Sequence, residues 1–533
     1  MDFSANPHRA HRVPMYGVNG AVATSQPLAA QAGLDVLRSG GNAVDAAIAT
    51  AAALTVVEPT SNGIGSDAFA LVWDGSKLHG LNASGGAPQS MSAAAFREAG
   101  HTVMPGRGWD AVTVPGCVDA WSMLTERFGR NELAKNLKPA IALASNGFPV
   151  SPVISFLWRR AALEYAGLPG LQFDGWRETF LAGGDAPVPG QLWKSPGHAR
   201  TLEGIATRGA RDFYEGEIAA SILAFSEACA GHLSADDLAN HHGEWVDPIS
   251  MRYRDMDVWE IPPNGSGIAA LQTLGMLDAF DASDSHVSLE GWHRAIEAMK
   301  LSYADAREYV ADERVRAVPT KGLLDPDYLA ERRALIGERA ANPLAGKPPS
   351  GGTIYLCTAD RDGMMVSYIQ SNFEGFGSGV VVPGTGISMQ NRGFGFSLVE
   401  GHLNELAGGQ RPYHTIIPGF MTRGDKAVGP FGVMGGFMQP QGHVQVTVGT
   451  VDHGYNAQSV LDAPRWRVED GLKVSVESNA PAELIEGLKA LGHEVQHPEF
   501  DVGFGRGQII WAKDDGVYEA GTESRADGLA AVY

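Results

Sequence analysis

Apolar positions recur at helical spacing along residues 21–58 and lose that spacing along 353–371. In the first stretch Ala30, Leu34 and Leu37 fall at i, i+4 and i+7, and Pro27 suits the first turn of a helix. Gly40-Gly41 ends that helix. Asn42 with Asp45 has the form of an N-cap with an acidic third position, opening an alanine-rich second helix that reaches Leu54. So many small side chains let neighbouring backbones approach closely, which predicts a buried helix. Residues 68–82 predict a hairpin that turns at Asp74-Gly75. Residues 115–340 are expected to be mainly helical. There Ala295, Met299 and Tyr303, four apart, mark one amphipathic face.

The pattern changes in the next segment. Asn342 to Gly352 (NPLAGKPPSGG) is rich in Pro, Gly and small residues and predicts a solvent-exposed linker. Thr353 to Thr358 is a β-prone run, Asp360-Arg361-Asp362-Gly363 a turn, and Met365 to Ser371 a second strand. Strand-like runs continue to the end, GQIIWA and GVYEAG among them. A flexible linker feeding a strand that begins with Thr is the main organisational signal. Taken alone, Thr353 is an ordinary β-branched strand residue. Cleavage of the peptide before it would free an α-amine beside the hydroxyl, and that amine can act as the hydroxyl's general base.

Composition narrows the classes. A chain of 533 residues suits two or three ordinary domains, or one large body with a second lobe. The net charge of −20 disfavours nonspecific attraction to nucleic acid or an anionic membrane. Three cysteines, Cys117, Cys229 and Cys357, without CxxC spacing suggest a reducing compartment and no disulfide framework. The first residues lack an apolar signal core, and the run Ala46 to Val57 is too short to span a bilayer. The expectation is a cytoplasmic protein with neither nucleic acid nor membrane as partner. His241-His242 lack a third ligand at useful spacing, so no metal is implied. GFGSG and GFGRG open no βαβ unit, and no GxSxG elbow or P-loop is present.

Several ordered segments carry a resemblance. PLAAQAGLDVLRSGGNAVDAAIATAAALTVVEPTSNGIG, AVTVPGCVDAW, IPPNGSGIAALQTLGML, GGTIYLCTADRDGMMVSYIQSNFEGFGSG, PGTGISMQNRG and SRADGLAAVY resemble the γ-glutamyltranspeptidase family of N-terminal nucleophile hydrolases. The match runs almost end to end. It implies an α+β fold, a four-layer αββα sandwich, autoprocessed between Gly352 and Thr353. The large subunit would be 1–352 and the small, catalytic one 353–533. By the same resemblance Thr353 is the nucleophile, Ser371 the second hydroxyl that assists it, and Gly435-Gly436 the oxyanion hole. Asn391 matches an asparagine of the substrate-side loop. No metal or organic cofactor is implied. The partners expected are a small-molecule amide and the chain's own two subunits, with a homo-oligomer of such heterodimers allowed.

The departures bear on substrate. The family's carboxylate-binding arginine falls on Ser84, its amine-binding aspartate on Phe394, and its two carboxylate-binding serines on His414 and Thr415. A γ-glutamyl group brings an α-ammonium and an α-carboxylate together, and both need partners once desolvated. Arg392 is the best replacement cation for an anionic acyl group, with His414 donating beside it. The pattern ASGGAP with IQSN and QNRG is similar to the branch that includes oxamate amidohydrolase. The expected function is therefore a self-cleaving threonine amidohydrolase acting on a small carboxylate-bearing acyl substrate. The alternatives are a true γ-glutamyltransferase or glutathione hydrolase with a rearranged pocket, and an unprocessed, non-enzymatic family member.

Overall fold

The computed structural model describes residues 12–181, 183–343, 352–498 and 501–533. Two antiparallel sheets of seven strands each form its centre. The first sheet runs, edge to edge, through Leu529–Val532, Gly20–Thr24, Gly352–Asp360, Met365–Phe373, Asp67–Trp73, Leu78–Asn82 and Glu244–Val246. The second runs through Met15–Gly17, Tyr518–Thr522, Arg506–Ala512, Lys426–Met434, Gly419–Arg423, Met256–Glu260 and Ile249–Tyr253. The sheets face each other, and Gly352–Asp360 packs on Lys426–Met434. The approach is close: a Cβ on Gly432 would sit 2.6 Å from the Tyr355 ring.

Helices cover the outer faces and complete an αββα sandwich. Pro27–Arg38 and Ala43–Val57 pack on the first sheet, and Gly267–Leu277 and Met438–Val451 on the second. This layering explains why TIYLCT and the Asp67–Trp73 run lack alternation. Strands covered on both faces bury every side chain, as Asp67–Trp73 and Met365–Phe373 do.

Local sequence accounts for much of the covering layer. Asn42 and Asp45 form a full capping box, and the helix they open is buried along its whole length. That helix reaches Val57, three residues past the expected end. Asp360 Oδ2 accepts the Ala43 N–H at 2.9 Å, so the turn after the Thr353 strand also caps the helix. The hairpin at Asp74-Gly75 forms as expected, joining Asp67–Trp73 to Leu78–Asn82. Leu289–Tyr309 is one helix with Ala295, Met299 and Tyr303 buried.

One expectation holds with an addition, and one needs correction. The segment 115–340 is mainly helical, yet Glu244–Val246, Ile249–Tyr253 and Met256–Glu260 are strands that complete sheet edges. The buried/half-buried alternation of Met256–Glu260 was legible as M-D-V-W-E, a period-two pattern inside a helical region. Gly352 belongs to the strand and not to the linker, because it pairs with Phe373. Residues 344 to 351 of the expected linker lie outside the described residues.

Candidate active site

The register between Gly352–Asp360 and Met365–Phe373 slips at Thr353. Gly352 pairs with Phe373 and Ile354 with Gln370, so Ser371 and Asn372 together oppose Thr353. Such a bulge re-aims the side chains around it. Thr353 Oγ1 meets Ser371 Oγ at 3.0 Å, and both residues are fully buried. The Phe373 N–H donates to Ser371 Oγ at 2.8 Å. Phe373 has φ 79°, a strained backbone for an aromatic residue, and the bulge that needs this conformation is the one holding Ser371 in place.

A third group reaches the same hydroxyl. Gln439, in the first turn of the helix Met438–Val451, donates from Nε2 to Thr353 Oγ1 at 3.3 Å. Gly435 and Gly436 precede that turn with φ of 138° and 59°, conformations that favour glycine. The Gln439 N–H bonds back to the Gly436 carbonyl at 3.1 Å. The glycine pair therefore stands just ahead of the helix whose first turn reaches Thr353 through Gln439, and at such a helix N-terminus backbone N–H groups and the helix dipole favour negative charge.

Arg392 is a buried cation in the surroundings. It is 1% exposed, and its guanidinium lies over the Phe373 ring at 4.5 Å. Nη1 donates to Thr415 Oγ1 at 2.8 Å, while Nε and Nη2 have no partner among the described residues. No carboxylate among those residues forms an ion pair with it. Burial pushes its pKa down to about 9, against the opposing pull of Asp67 and Glu374.

Asp67 enters from the next strand, where it pairs with Ser371. Its Oδ2 faces His414 Nε2 at 3.1 Å, and its Oδ1 accepts the Gly85 N–H at 3.4 Å. Burial raises the carboxyl to about 7, although Arg392 and Arg411 pull the other way. Burial and the same two cations hold His414 well below its ordinary value, so the imidazole is neutral. Its Nδ1 accepts the Ile416 N–H at 3.4 Å, which leaves the proton on Nε2, facing Asp67. His414 is thus engaged by Asp67 instead of standing beside Arg392 as a free donor.

The remaining predicted positions divide. Thr415 holds Arg392. Asn391 is a loop brace: Oδ1 accepts the Glu374 N–H at 3.1 Å and Nδ2 donates to the Gly106 carbonyl at 3.0 Å. Ser84 Oγ donates to Asn82 Oδ1 at 2.7 Å. Phe394 packs on a small apolar cluster that includes Phe96, Met104 and Phe396. His241 stacks on Tyr214, with Nε2 4.0 Å from Asp119. One grouping elsewhere, His293, Glu297 and His493, has converging ligand atoms. His293 Nδ1 lies 2.8 Å from His493 Nε2, and Glu297 is engaged from outside the group by Lys300 at 2.7 Å.

Comparison with known proteins decides the wider grouping, since residues 29–533 match the model of gamma-glutamyltranspeptidase. The chain belongs to that family. It is 34% identical over 526 residues to the glutathione hydrolase-like YwrD proenzyme of Bacillus subtilis, covering 96% of this chain and 98% of the relative. It is 33% identical over 531 residues to the oxamate amidohydrolase proenzyme of Klebsiella pneumoniae, covering 97% and 98%. A cephalosporin acylase structure from Bacillus halodurans superposes with a TM-score of 0.97 at 50% identity, covering 100% of this chain and 99% of that one. Membership of the gamma-glutamyltranspeptidase family makes the chain an enzyme of the N-terminal nucleophile class, working on amide bonds.

Three residues that shape this site escaped the sequence reading. Asp67 had a signal, because an acid opening the buried run AFALVW is expensive to desolvate without a task. Phe373 and Gln439 had none, since neither residue type is unusual where it stands.

Proposed function

We propose that the protein cuts its own backbone between Gly352 and Thr353 and then hydrolyses amides of small, carboxylate-bearing acyl groups. In the cut, Thr353 Oγ1 adds to the Gly352 carbonyl carbon. The bond to the Thr353 nitrogen breaks, that nitrogen takes the proton, and water hydrolyses the resulting ester. The freed amine then serves as base for the same hydroxyl. In turnover the hydroxyl attacks the substrate amide, and the Gly435 and Gly436 N–H groups receive the developing oxyanion, each donor contributing about 3–4 kcal/mol. The amine product leaves and water releases the acid.

The substrate reading rests on one observation: Arg392 is buried with two donor groups unmatched. A desolvated cation lacking its own counter-ion is complete only when an anion arrives. Phe394 supports the reading from the other side, since an apolar ring stands where an α-ammonium would need an acid. A γ-glutamyl donor draws support from Asp67, a carboxyl within the electrostatic reach of Arg392. That carboxyl is already engaged by His414 and the Gly85 N–H, and it keeps its proton up to about pH 7.

Two measurements test the proposal. N-terminal sequencing of the smaller fragment should begin Thr-Ile-Tyr-Leu, and Thr353→Ala should give a single intact band; any other start removes Thr353 from its role. With processed enzyme, glutaryl or shorter dicarboxylate monoamides, oxamate among them, should exceed γ-glutamyl compounds in kcat/KM by about tenfold or more. The reverse order would favour the transferase reading.

A further inference from the structure

Gln439 carries no role in the reaction as derived so far, yet it touches the reactive oxygen. Its amide has a fixed orientation. The Ile417 N–H donates to Oε1 at 2.9 Å, so the oxygen must face that group and the NH2 must face Thr353. Nε2 then donates to Thr353 Oγ1 at 3.3 Å. A hydroxyl that accepts there still has one proton to place, and Ser371 Oγ stands 3.0 Å away. Either hydroxyl can donate in that contact, whereas the direction from Gln439 to Thr353 is set by the Ile417 N–H. Gln439 is fully buried, and its own N–H is bonded in the first helical turn, so little freedom remains to it.

We propose that Gln439 is a further catalytic residue, whose carboxamide orients the Thr353 hydroxyl and stabilises its oxygen whenever that oxygen gains negative charge. This rests on the reading of Thr353 as nucleophile. Gln439 forms no covalent bond and keeps its protons. Charge grows on Oγ1 twice in each cycle, once as its proton leaves during attack and once as it departs from the acyl carbon. A donor already aimed at the atom needs no reorganisation at either moment.

The test uses the full chain carrying Q439M or Q439E, with conversion of precursor to fragments followed on denaturing gels and kcat measured on processed protein. Methionine keeps the volume and removes the donor. Q439M should convert, and turn over an anionic amide, about tenfold more slowly or worse, the loss expected for one hydrogen bond to a charged group. Glutamate is isosteric, so Q439E decides the matter however Q439M folds. When protonated it still donates; when ionised it can only accept, and the hydroxyl proton turns towards it. Q439E conversion should therefore fall with rising pH relative to the unaltered chain. A purely packing role would not invert the profile in this way. Rates within threefold in Q439M, or a Q439E profile parallel to the parent, would overturn the role of Gln439 while Thr353→Ala remains uncut. A Thr353→Ala chain that still cuts would instead sink the nucleophile assignment beneath it.

Discussion

Arg392 holds a charge where water is excluded, and among the described residues its only hydrogen-bonded side-chain partner is the neutral Thr415 hydroxyl. Replacing it tests what the charge is for. Arg392→Ala should lower kcat/KM for an anionic acyl substrate by one to two factors of ten while a neutral amide of similar size loses little. Equal losses on both substrates would mean that the guanidinium only braces the loop against Phe373. Asp67 makes the second prediction at this scale. Its folded pKa of about 7 lies above the ordinary carboxyl value, so the folded chain binds this proton more tightly than the unfolded one. The stabilising contribution is complete below about pH 4 and is lost as pH rises through about 7. Around the carboxyl, Arg392 and Arg411 favour ionisation, while His414 is neutral. Asp67→Asn should flatten the decline in melting temperature between pH 5 and pH 8, read by thermal scans of both proteins. Above pH 7 the ionised Asp67 also competes with an anionic substrate for Arg392. KM should rise there in the parent and stay level in Asp67→Asn.

At the scale of elements, a strand bulge and a helix start meet. The bulge at Thr353 puts two residues of the neighbouring strand opposite one, which brings Ser371 to the hydroxyl. The helix start at Met438 brings Gln439 from the facing sheet's side, with the glycine pair just ahead of it in the chain. Gly435 sits at φ 138°, and a Cβ there would come within 3.1 Å of the Gly505 Cα. Gly435→Ala should therefore shift the turn that carries the proposed oxyanion donors. The expected result is a loss of about a hundredfold in kcat, the effect of one misplaced donor, with KM little changed. A variant that kept kcat and raised KM alone would show that the pair shapes substrate binding and not the transition state.

For the whole molecule, the proposed cut falls inside a sheet. Gly352–Asp360 and Met365–Phe373 lie between Gly20–Thr24 on one side and Asp67–Trp73 on the other. Strands from the proposed small subunit are thus interleaved with strands from the large one. Separating the pieces would break ladders on both flanks and expose a core buried on both faces. The two fragments should migrate separately on a denaturing gel yet elute together at their combined mass under native conditions. Fragments that separate without denaturant would contradict this account. Among the described residues, no helix is long and apolar enough to cross a membrane.

The sequence by itself determined the elements whose causes are local. Asn42 and Asp45 are three apart and cap their helix within one turn, Asp74-Gly75 reverses its own hairpin, and the run from Thr353 lies in a strand through its β-propensity. Ordered motifs along the chain carried the family, and with it the expected places of Ser371 and Gly435-Gly436. Tertiary structure alone decided the state of each side chain in the pocket. His414 could be expected to donate freely until Asp67, 347 residues away, engaged its Nε2. Gln439, 86 residues from Thr353, was one glutamine among several until two sheets packed and aimed it. Arg392 was legible as a cation, but only the fold shows it stripped of water and of a counter-ion. Hydrogen-bond satisfaction and desolvation depend on groups brought together from distant parts of the chain. Periodicity, capping and turn chemistry act between near neighbours, so they fix the frame and leave the charges within it to the packing.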